Sequence, residues 1–85
     1  MTNTLREEEL LDQVKEMLIE VCGDEEAVSD PDLDLFAAGF LDSLAGIETL
    51  VAIEERFGVD IAPTAVERDQ MDTVSKICAR IAERL

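Results

Sequence analysis

A serine stands where a loop is predicted to become a helix, in the segment GFLDSLAGIETL. Ser43 lies between Asp42 and Leu44, and a hydroxyl group in the first turn of a helix is exposed and held in one direction. Nucleophilic catalysis would need a base beside it, and the chain contains no histidine. The only lysines, Lys15 and Lys76, fall in other predicted helices, with no sign that either approaches Ser43. We therefore do not expect this protein to be an enzyme.

An acidic segment before the serine invites a calcium-binding interpretation. Asp30, Asp32 and Asp34 alternate along the chain, as the ligands do at the start of an EF-hand loop. Such a loop needs glycine at its sixth position and a bidentate glutamate at its twelfth, and this chain has Leu35 and Leu41 there. The pattern therefore does not predict a calcium site.

The two cysteines, Cys22 and Cys78, both fall on apolar stripes of predicted helices. Without histidine and without C-x-x-C spacing they make a poor metal-binding set, so we predict no metal site. We expect them to be reduced thiols that pack as small apolar side chains.

The charge balance is strongly acidic, with 21 acidic against 7 basic residues and a formal net charge of −14. Such a surface repels nucleic acids and anionic membranes, and it attracts proteins that carry lysine and arginine patches. The alternative is that the acidity only keeps a small soluble protein monomeric. A hydrophobic fraction of 47% in 85 residues predicts one folded domain, residues 1–85, with a mostly aliphatic core. No segment approaches the about 20 apolar residues of a membrane-spanning helix, so we expect a cytoplasmic monomer.

The first predicted helix begins with a capping box at Thr4-Leu5-Arg6-Glu7 and ends at Gly23 as its C-cap. Its apolar stripe consists of Leu10, Leu11, Val14, Met17, Leu18, Val21 and Cys22. Residues 24–42 then predict a long, ordered loop. The apolar residues that we expect to pack this loop against the helices are Leu33, Leu35, Phe36 and Phe40.

The second predicted helix has Asp42 as its N-cap, runs to Phe57 and stops at Gly58. A short helix is expected over residues 64–69, and the last helix begins after Thr73. The apolar side of the last helix comprises Val74, Ile77, Cys78, Ile81 and Leu85. We therefore predict an all-α fold, a small four-helix bundle with three longer helices and one short helix.

The second helix is predicted to have two different faces, since side chains follow one another at about 100° per residue. The core face comprises Gly46, Leu50, Ile53 and Phe57. The opposite face, which leads back to Ser43, comprises Leu44, Glu48, Val51 and Glu55. Apolar side chains among carboxylates suit transient docking, so we predict that this face and Asp42 bind partner proteins. The alternative is a solvated face with two incidental aliphatic residues.

The residues alone leave three interpretations of Ser43. It could be modified by another enzyme, since the positive end of a helix suits an attached phosphate ester. It could instead be only a favourable first-turn residue. In the third, the chain is a small acidic adaptor that binds helices or basic partners without any covalent group.

The segment Leu41-Asp42-Ser43-Leu44 resembles the Asp-Ser-Leu signature of the acyl and peptidyl carrier proteins. The similarity continues through Ala52-Ile53-Glu54-Glu55-Arg56-Phe57, and the acidic composition and the long loop before the serine agree with it. The resemblance implies that Ser43 carries a 4′-phosphopantetheine arm, transferred from coenzyme A by a phosphopantetheinyl transferase. It also implies that cargo travels as a thioester on the thiol of that arm.

A narrower resemblance is to the D-alanyl carrier proteins of teichoic-acid D-alanylation. The segments that carry it are Val21-Cys22-Gly23-Asp24, Leu33-Asp34-Leu35-Phe36, Phe57-Gly58-Val59-Asp60 and Val66-Glu67-Arg68-Asp69-Gln70-Met71-Asp72-Thr73. The chain departs from that subfamily at Met71, where tryptophan is common, and at Ala45-Gly46, which replaces Gly-Thr.

This narrower resemblance implies an adenylating ligase that loads D-alanine with ATP, and membrane-bound acyltransferase machinery that receives it. We expect so small and polar a cargo to stay on an extended, solvent-exposed arm. A carrier of fatty-acid synthesis or of secondary metabolism remains the alternative within the family.

Overall fold

The computed structural model describes residues 6–85, in which helix α1 spans Glu7–Cys22. Three glutamates in its first turn place negative charge at the positive end of the helix dipole. The helix ends as predicted, because Gly23 adopts a left-handed conformation with φ of 73° and donates its N–H to the Ile19 carbonyl at 2.7 Å. Thr4, the first residue of the predicted capping box, lies outside the described residues. The buried residues of α1 are Leu10, Val14, Met17 and Leu18.

Residues 24–42 form an ordered loop that includes a 3₁₀ helix at Glu25–Val28. The carboxylates of Asp30 and Asp34 accept hydrogen bonds from backbone N–H groups two or three residues ahead, at 2.9 to 3.1 Å. Such bonds imitate backbone turns, so these aspartates shape the loop.

The loop is joined to the segment that begins the last helix. The Leu35 N–H donates to the Asp72 carbonyl at 2.7 Å, and the Ser75 N–H donates to the Pro31 carbonyl at 3.0 Å. Leu35 is fully buried, and the half-buried loop residues are Leu33, Phe36 and Phe40. The predicted packing of the loop is therefore confirmed for Leu35, which belongs to the core, and for Phe36 and Phe40, which pack against it.

Helices α2, at Ser43–Phe57, and α3, at Val74–Ala82, have the predicted starting residues. Helix α2 also stops as predicted, since Gly58 has φ of 69° and donates its N–H to a carbonyl of the last turn at 2.9 Å. Thr73 caps α3, because its Oγ1 accepts a hydrogen bond from the Lys76 N–H at 3.1 Å.

The position predicted for the short helix is wrong. Residues 63–65 form a turn, and a second 3₁₀ helix follows at Arg68–Gln70. The reason is local: the Gln70 side chain accepts a hydrogen bond from the Glu67 N–H at 2.8 Å, so the helical turn begins after Glu67.

The prediction that Leu85 lies on the apolar side of the last helix is also wrong. Helix α3 ends at Ala82, and Leu85 is 47% exposed. Glu83 is the C-cap of α3 and pairs with Arg80 at 2.9 Å, so the residues beyond it do not continue the apolar side of the helix.

The all-α class is confirmed, although the residues from 6 to 85 contain three α-helices and two 3₁₀ helices in place of four regular helices, and no strand. Helix α1 packs against both α2 and α3. Arg56 on α2 pairs with Glu16 and Glu20 on α1 at 3.5 and 3.1 Å. The core is aliphatic, as expected. No α-helix within this part of the chain is long and apolar enough to cross a bilayer.

Candidate functional site

Asp42 determines where α2 begins and therefore where the Ser43 side chain lies. The Asp42 backbone is extended, and its Oδ1 accepts a hydrogen bond from the Ala45 N–H at 2.8 Å. The Gly46 N–H donates to the Asp42 carbonyl, also at 2.8 Å. Ser43 is thus the first helical residue, and it is exposed, as predicted.

The positive end of α2 favours negative charge attached at Ser43, but the surroundings of Ser43 do not activate the hydroxyl group. The serine lies at the positive end of a helix of 15 residues whose first turn holds no acidic side chain. Within residues 6–85 no basic side chain hydrogen-bonds to the Ser43 hydroxyl, and the chain has no histidine. The site can therefore accept a group from another enzyme, but it lacks the base that a serine nucleophile needs.

A shallow groove of about 200 Å³ begins beside Ser43. Its residues come from the loop, from α2 and from the segment before α3: Phe36, Asp42, Ser43, Gly46, Ile47, Leu50, Pro63, Val66, Arg68 and Met71. Phe36 approaches α2 closely, because a Cβ atom on Gly46 would lie 3.4 Å from the Phe36 Cζ atom. The guanidinium carbon of Arg68 lies 4.5 Å from the centre of the Phe36 ring.

A gap between α2 and α3 adjoins this groove but is closed. It is lined by Leu50, Ile53, Ile61, Val66, Met71, Ile77 and Arg80, and it has no volume that a water molecule could occupy. Leu50, Val66 and Met71 line both the groove and the gap. The groove therefore leads to a filled interior and not to a cavity.

The two predicted faces of α2 are confirmed as buried and exposed surfaces. Gly46, Leu50 and Ile53 are buried and Phe57 is half-buried, whereas Leu44, Glu48, Val51 and Glu55 are all exposed. The sequence reasoning missed Ile47, which is 49% exposed and lies between Leu44 and Val51 on the surface. Its spacing of three residues from Leu44 and four from Val51 was a signal that could have placed it there. It also missed Thr49, which is buried and donates its hydroxyl to the Ala45 carbonyl at 2.8 Å.

Both cysteines are free and half-buried, which agrees with the prediction of core thiols. Burial raises the pKa of the Cys22 thiol above its ordinary value of 9.0, and the nearby Asp24 carboxylate raises it further. Burial also raises the pKa of Cys78, against smaller opposing effects of Lys15 and a backbone hydrogen bond. Near neutral pH both thiols are therefore protonated and weakly nucleophilic.

A fixed, exposed serine on a small acidic helical protein, without a base to activate it, is the arrangement expected of a carrier domain that other enzymes modify. Residues 12–81 match the family model described as the phosphopantetheine attachment site. The D-alanyl carrier protein of Bacillus velezensis is 37% identical over 75 residues, which cover 88% of this chain and 96% of that protein. The D-alanyl carrier protein of Abiotrophia defectiva is 40% identical over 74 residues, covering 87% and 94%. That of Bacillus subtilis is 37% identical over 71 residues, covering 84% and 91%.

The chain belongs to the phosphopantetheine-binding family of carrier proteins, among the D-alanyl carrier proteins. The cofactor of this family is 4′-phosphopantetheine. The residues at the start of α2 fit that group, because Ser43 offers an exposed hydroxyl beside an open groove and the first turn adds no negative charge.

Proposed function

We propose that Ser43 carries 4′-phosphopantetheine and that the chain, as a single carrier domain, holds D-alanine for transfer to teichoic acid. The observation that supports this most directly is the exposed serine at the first position of α2, in a chain similar to D-alanyl carrier proteins over most of its length. When attached, the group supplies a thiol that holds an acyl group as a thioester. Residues 1–85 act as a monomeric platform and supply no catalysis.

Attachment would require chemistry that the partner provides. The Ser43 oxygen forms a new bond to phosphorus, the diphosphate bond of coenzyme A breaks, and adenosine bisphosphate leaves. The hydroxyl proton passes to a base of the phosphopantetheinyl transferase, since Ser43 has no base of its own. An ATP-dependent D-alanine ligase then loads the thiol in the cytoplasm, and membrane-bound acyltransferase machinery receives the alanyl group.

We propose that these partners dock on the exposed face of α2. Its apolar part consists of Leu44, Ile47 and Val51, of which Ile47 was not predicted from the sequence. Its acidic part consists of Asp42, Glu48 and Glu55. Small apolar contacts set the geometry of a transient complex, and the carboxylates speed the encounter with basic partners.

A small cargo is favoured over a fatty acyl chain by the closed gap between α2 and α3. A stored acyl chain would need an apolar space, and this gap does not admit even a water molecule. An alanyl group gains little from burial because it is small and polar. The fatty-acid carrier alternative therefore has less support than an aminoacyl carrier.

The attachment is tested by the substitution Ser43→Ala, with Ser75→Ala as a matched control in the first turn of α3. Each protein is incubated with coenzyme A and a promiscuous phosphopantetheinyl transferase, and its intact mass is measured. We expect the arm on the wild type and on the control but not on Ser43→Ala, with unchanged circular dichroism throughout. An arm on Ser43→Ala would show that attachment occurs elsewhere, and an unmodified wild type would favour the acidic adaptor.

The cargo is tested separately on protein isolated from its own host, by measuring the mass of the arm and its load. An alanyl mass is the expected result. A different acyl or aminoacyl mass would assign the protein to another pathway, but it would not contradict the proposed attachment at Ser43.

A further inference from the structure

Arg68 is the only basic residue among the ten that line the groove beside Ser43. The ion pairs between basic and acidic side chains within residues 6–85 belong to Arg56, Lys76, Arg80 and Arg84, and Arg68 is not among them. The carboxylates of Asp34, Glu67, Asp69 and Asp72 line the neighbouring cavity together with Arg68, but none of them forms an ion pair with it. Its guanidinium group is therefore available to a further anion, in competition with these carboxylates.

Arg68 is held in place by stacking and by the local backbone. Its guanidinium carbon lies 4.5 Å from the centre of the Phe36 ring, a distance typical of a cation–π interaction. The Phe36 N–H is bonded to the Asp34 carboxylate at 3.1 Å, and the ring packs on α2 at Gly46. Arg68 is also the first residue of the second 3₁₀ helix. The side chain therefore lies over the groove with part of its conformational freedom already lost.

We infer that Arg68 is a positioning residue that binds the phosphodiester of the arm on Ser43 and holds the first part of the arm in the groove. This inference rests on the proposed attachment. The planar guanidinium group can donate two parallel hydrogen bonds to the two free oxygens of a phosphodiester, a geometry that lysine does not reproduce. It also offsets the repulsion between the phosphodiester and the Asp42 carboxylate, which lines the same groove.

The rest of the arm stays free. A groove of about 200 Å³ is smaller than the pockets that enclose a ligand of drug size, and the gap that adjoins it is closed. Arg68 thus orients the base of the arm along the groove, while the thiol and its load extend into solvent. Because the contact is exposed, it favours the docked arm by a modest factor, up to about fivefold, and partners can displace it.

The test uses the arm-bearing protein and measures phosphorus-31 relaxation of its phosphodiester by NMR, together with the Nε–H signal of Arg68 before and after attachment. We expect the Arg68 signal to shift on attachment, and the phosphodiester to become more mobile in Arg68→Gln. Arg84→Gln removes the same charge from a residue paired with Glu83, and it should behave as the wild type. Arg68→Lys should restore little of the order, because it restores the charge but not the planar fork.

Equal phosphorus relaxation in the wild type and Arg68→Gln, with no shift of the Arg68 signal, would overturn the inference. Intact mass is measured first on every sample. If the arm is present but its phosphorus relaxation does not depend on Arg68, only this inference is contradicted. If the wild type carries no arm, the proposed attachment itself is contradicted.

Discussion

At the scale of single residues, Cys22 and Cys78 are the two thiols of the chain that could compete with the thiol of the arm for an acyl group. A thiolate in the protein could attack a thioester and take its acyl group, but a protonated thiol is a poor nucleophile. Burial is the main cause of the raised pKa at both positions. Burial of these two side chains therefore keeps both thiols weakly nucleophilic near neutral pH.

We predict that both thiols react with iodoacetamide more slowly in the folded protein than in urea at pH 8. Because each folded pKa lies above the unfolded value, the thiols contribute stability below the unfolded pKa, and that contribution is lost as pH rises through the folded pKa. Peptide mapping by mass spectrometry assigns the rate at Cys22 and at Cys78. Equal rates in folded and unfolded protein would contradict the protection.

At the scale of secondary-structure elements, two glycines of the α2 region have different roles. Gly46 is a buried helical residue beside Phe36, and its Cβ position meets that ring at 3.4 Å, an ordinary contact distance. Gly58 is the C-cap in a left-handed conformation, with φ of 69° and open space around its Cβ position. Gly46 therefore has room for a methyl group in contact with the Phe36 ring, whereas the backbone conformation at Gly58 disfavours any side chain.

We predict that one substitution has opposite effects at these two glycines. Gly46→Ala should raise the free energy of unfolding by up to about 1 kcal/mol, because alanine is a better helix former. Gly58→Ala should lower it by about 1 to 2 kcal/mol, since a side chain disfavours the left-handed conformation. Urea unfolding followed by circular dichroism measures both. A loss of stability in Gly46→Ala would mean that the Phe36 ring cannot accommodate a methyl group.

At the scale of the whole molecule, we expect the net charge of −14 and the apolar side chains of the proposed docking face on α2 to act together in partner binding. Long-range attraction brings basic surfaces towards the carrier, but it does not choose an orientation. On the proposed docking face, the exposed apolar side chains of α2 would supply the short-range contacts that choose an orientation. We therefore expect partner binding to depend on both the total charge and the position of a few side chains.

We predict that Val51→Arg slows D-alanine loading by a cognate ligase about tenfold, the equivalent of about 1.4 kcal/mol. Val51 is 49% exposed, so the substitution should leave helicity unchanged. Leu85→Arg is the matched control, because Leu85 is 47% exposed, lies outside the face and gains the same charge. Loading is measured as aminoacylated protein against time. Wild-type kinetics in Val51→Arg would count against the docking face.

Some features follow from the sequence by itself, because they depend on residues within one or two turns of each other. Asp42 and Thr73 cap their helices through bonds that span three residues, and Gly23 and Gly58 end theirs by left-handed turns. The core and exposed faces of α2 follow from the helical period. Hence the position of Ser43 and the nature of its surroundings on α2 could be predicted.

Only the tertiary structure decided the features built from distant parts of the chain. The groove brings Phe36 of the loop, Gly46 of α2 and Arg68 of the second 3₁₀ helix together, and no local pattern specifies that meeting. The predicted positions of the short helix and of Leu85 were wrong, because the helical pattern of the sequence competes there with a capping hydrogen bond and with an ion pair at the surface. Local hydrogen bonds and periodicity thus determined where the serine lies, whereas packing between separate segments determined the groove beside it and the closed interior behind it.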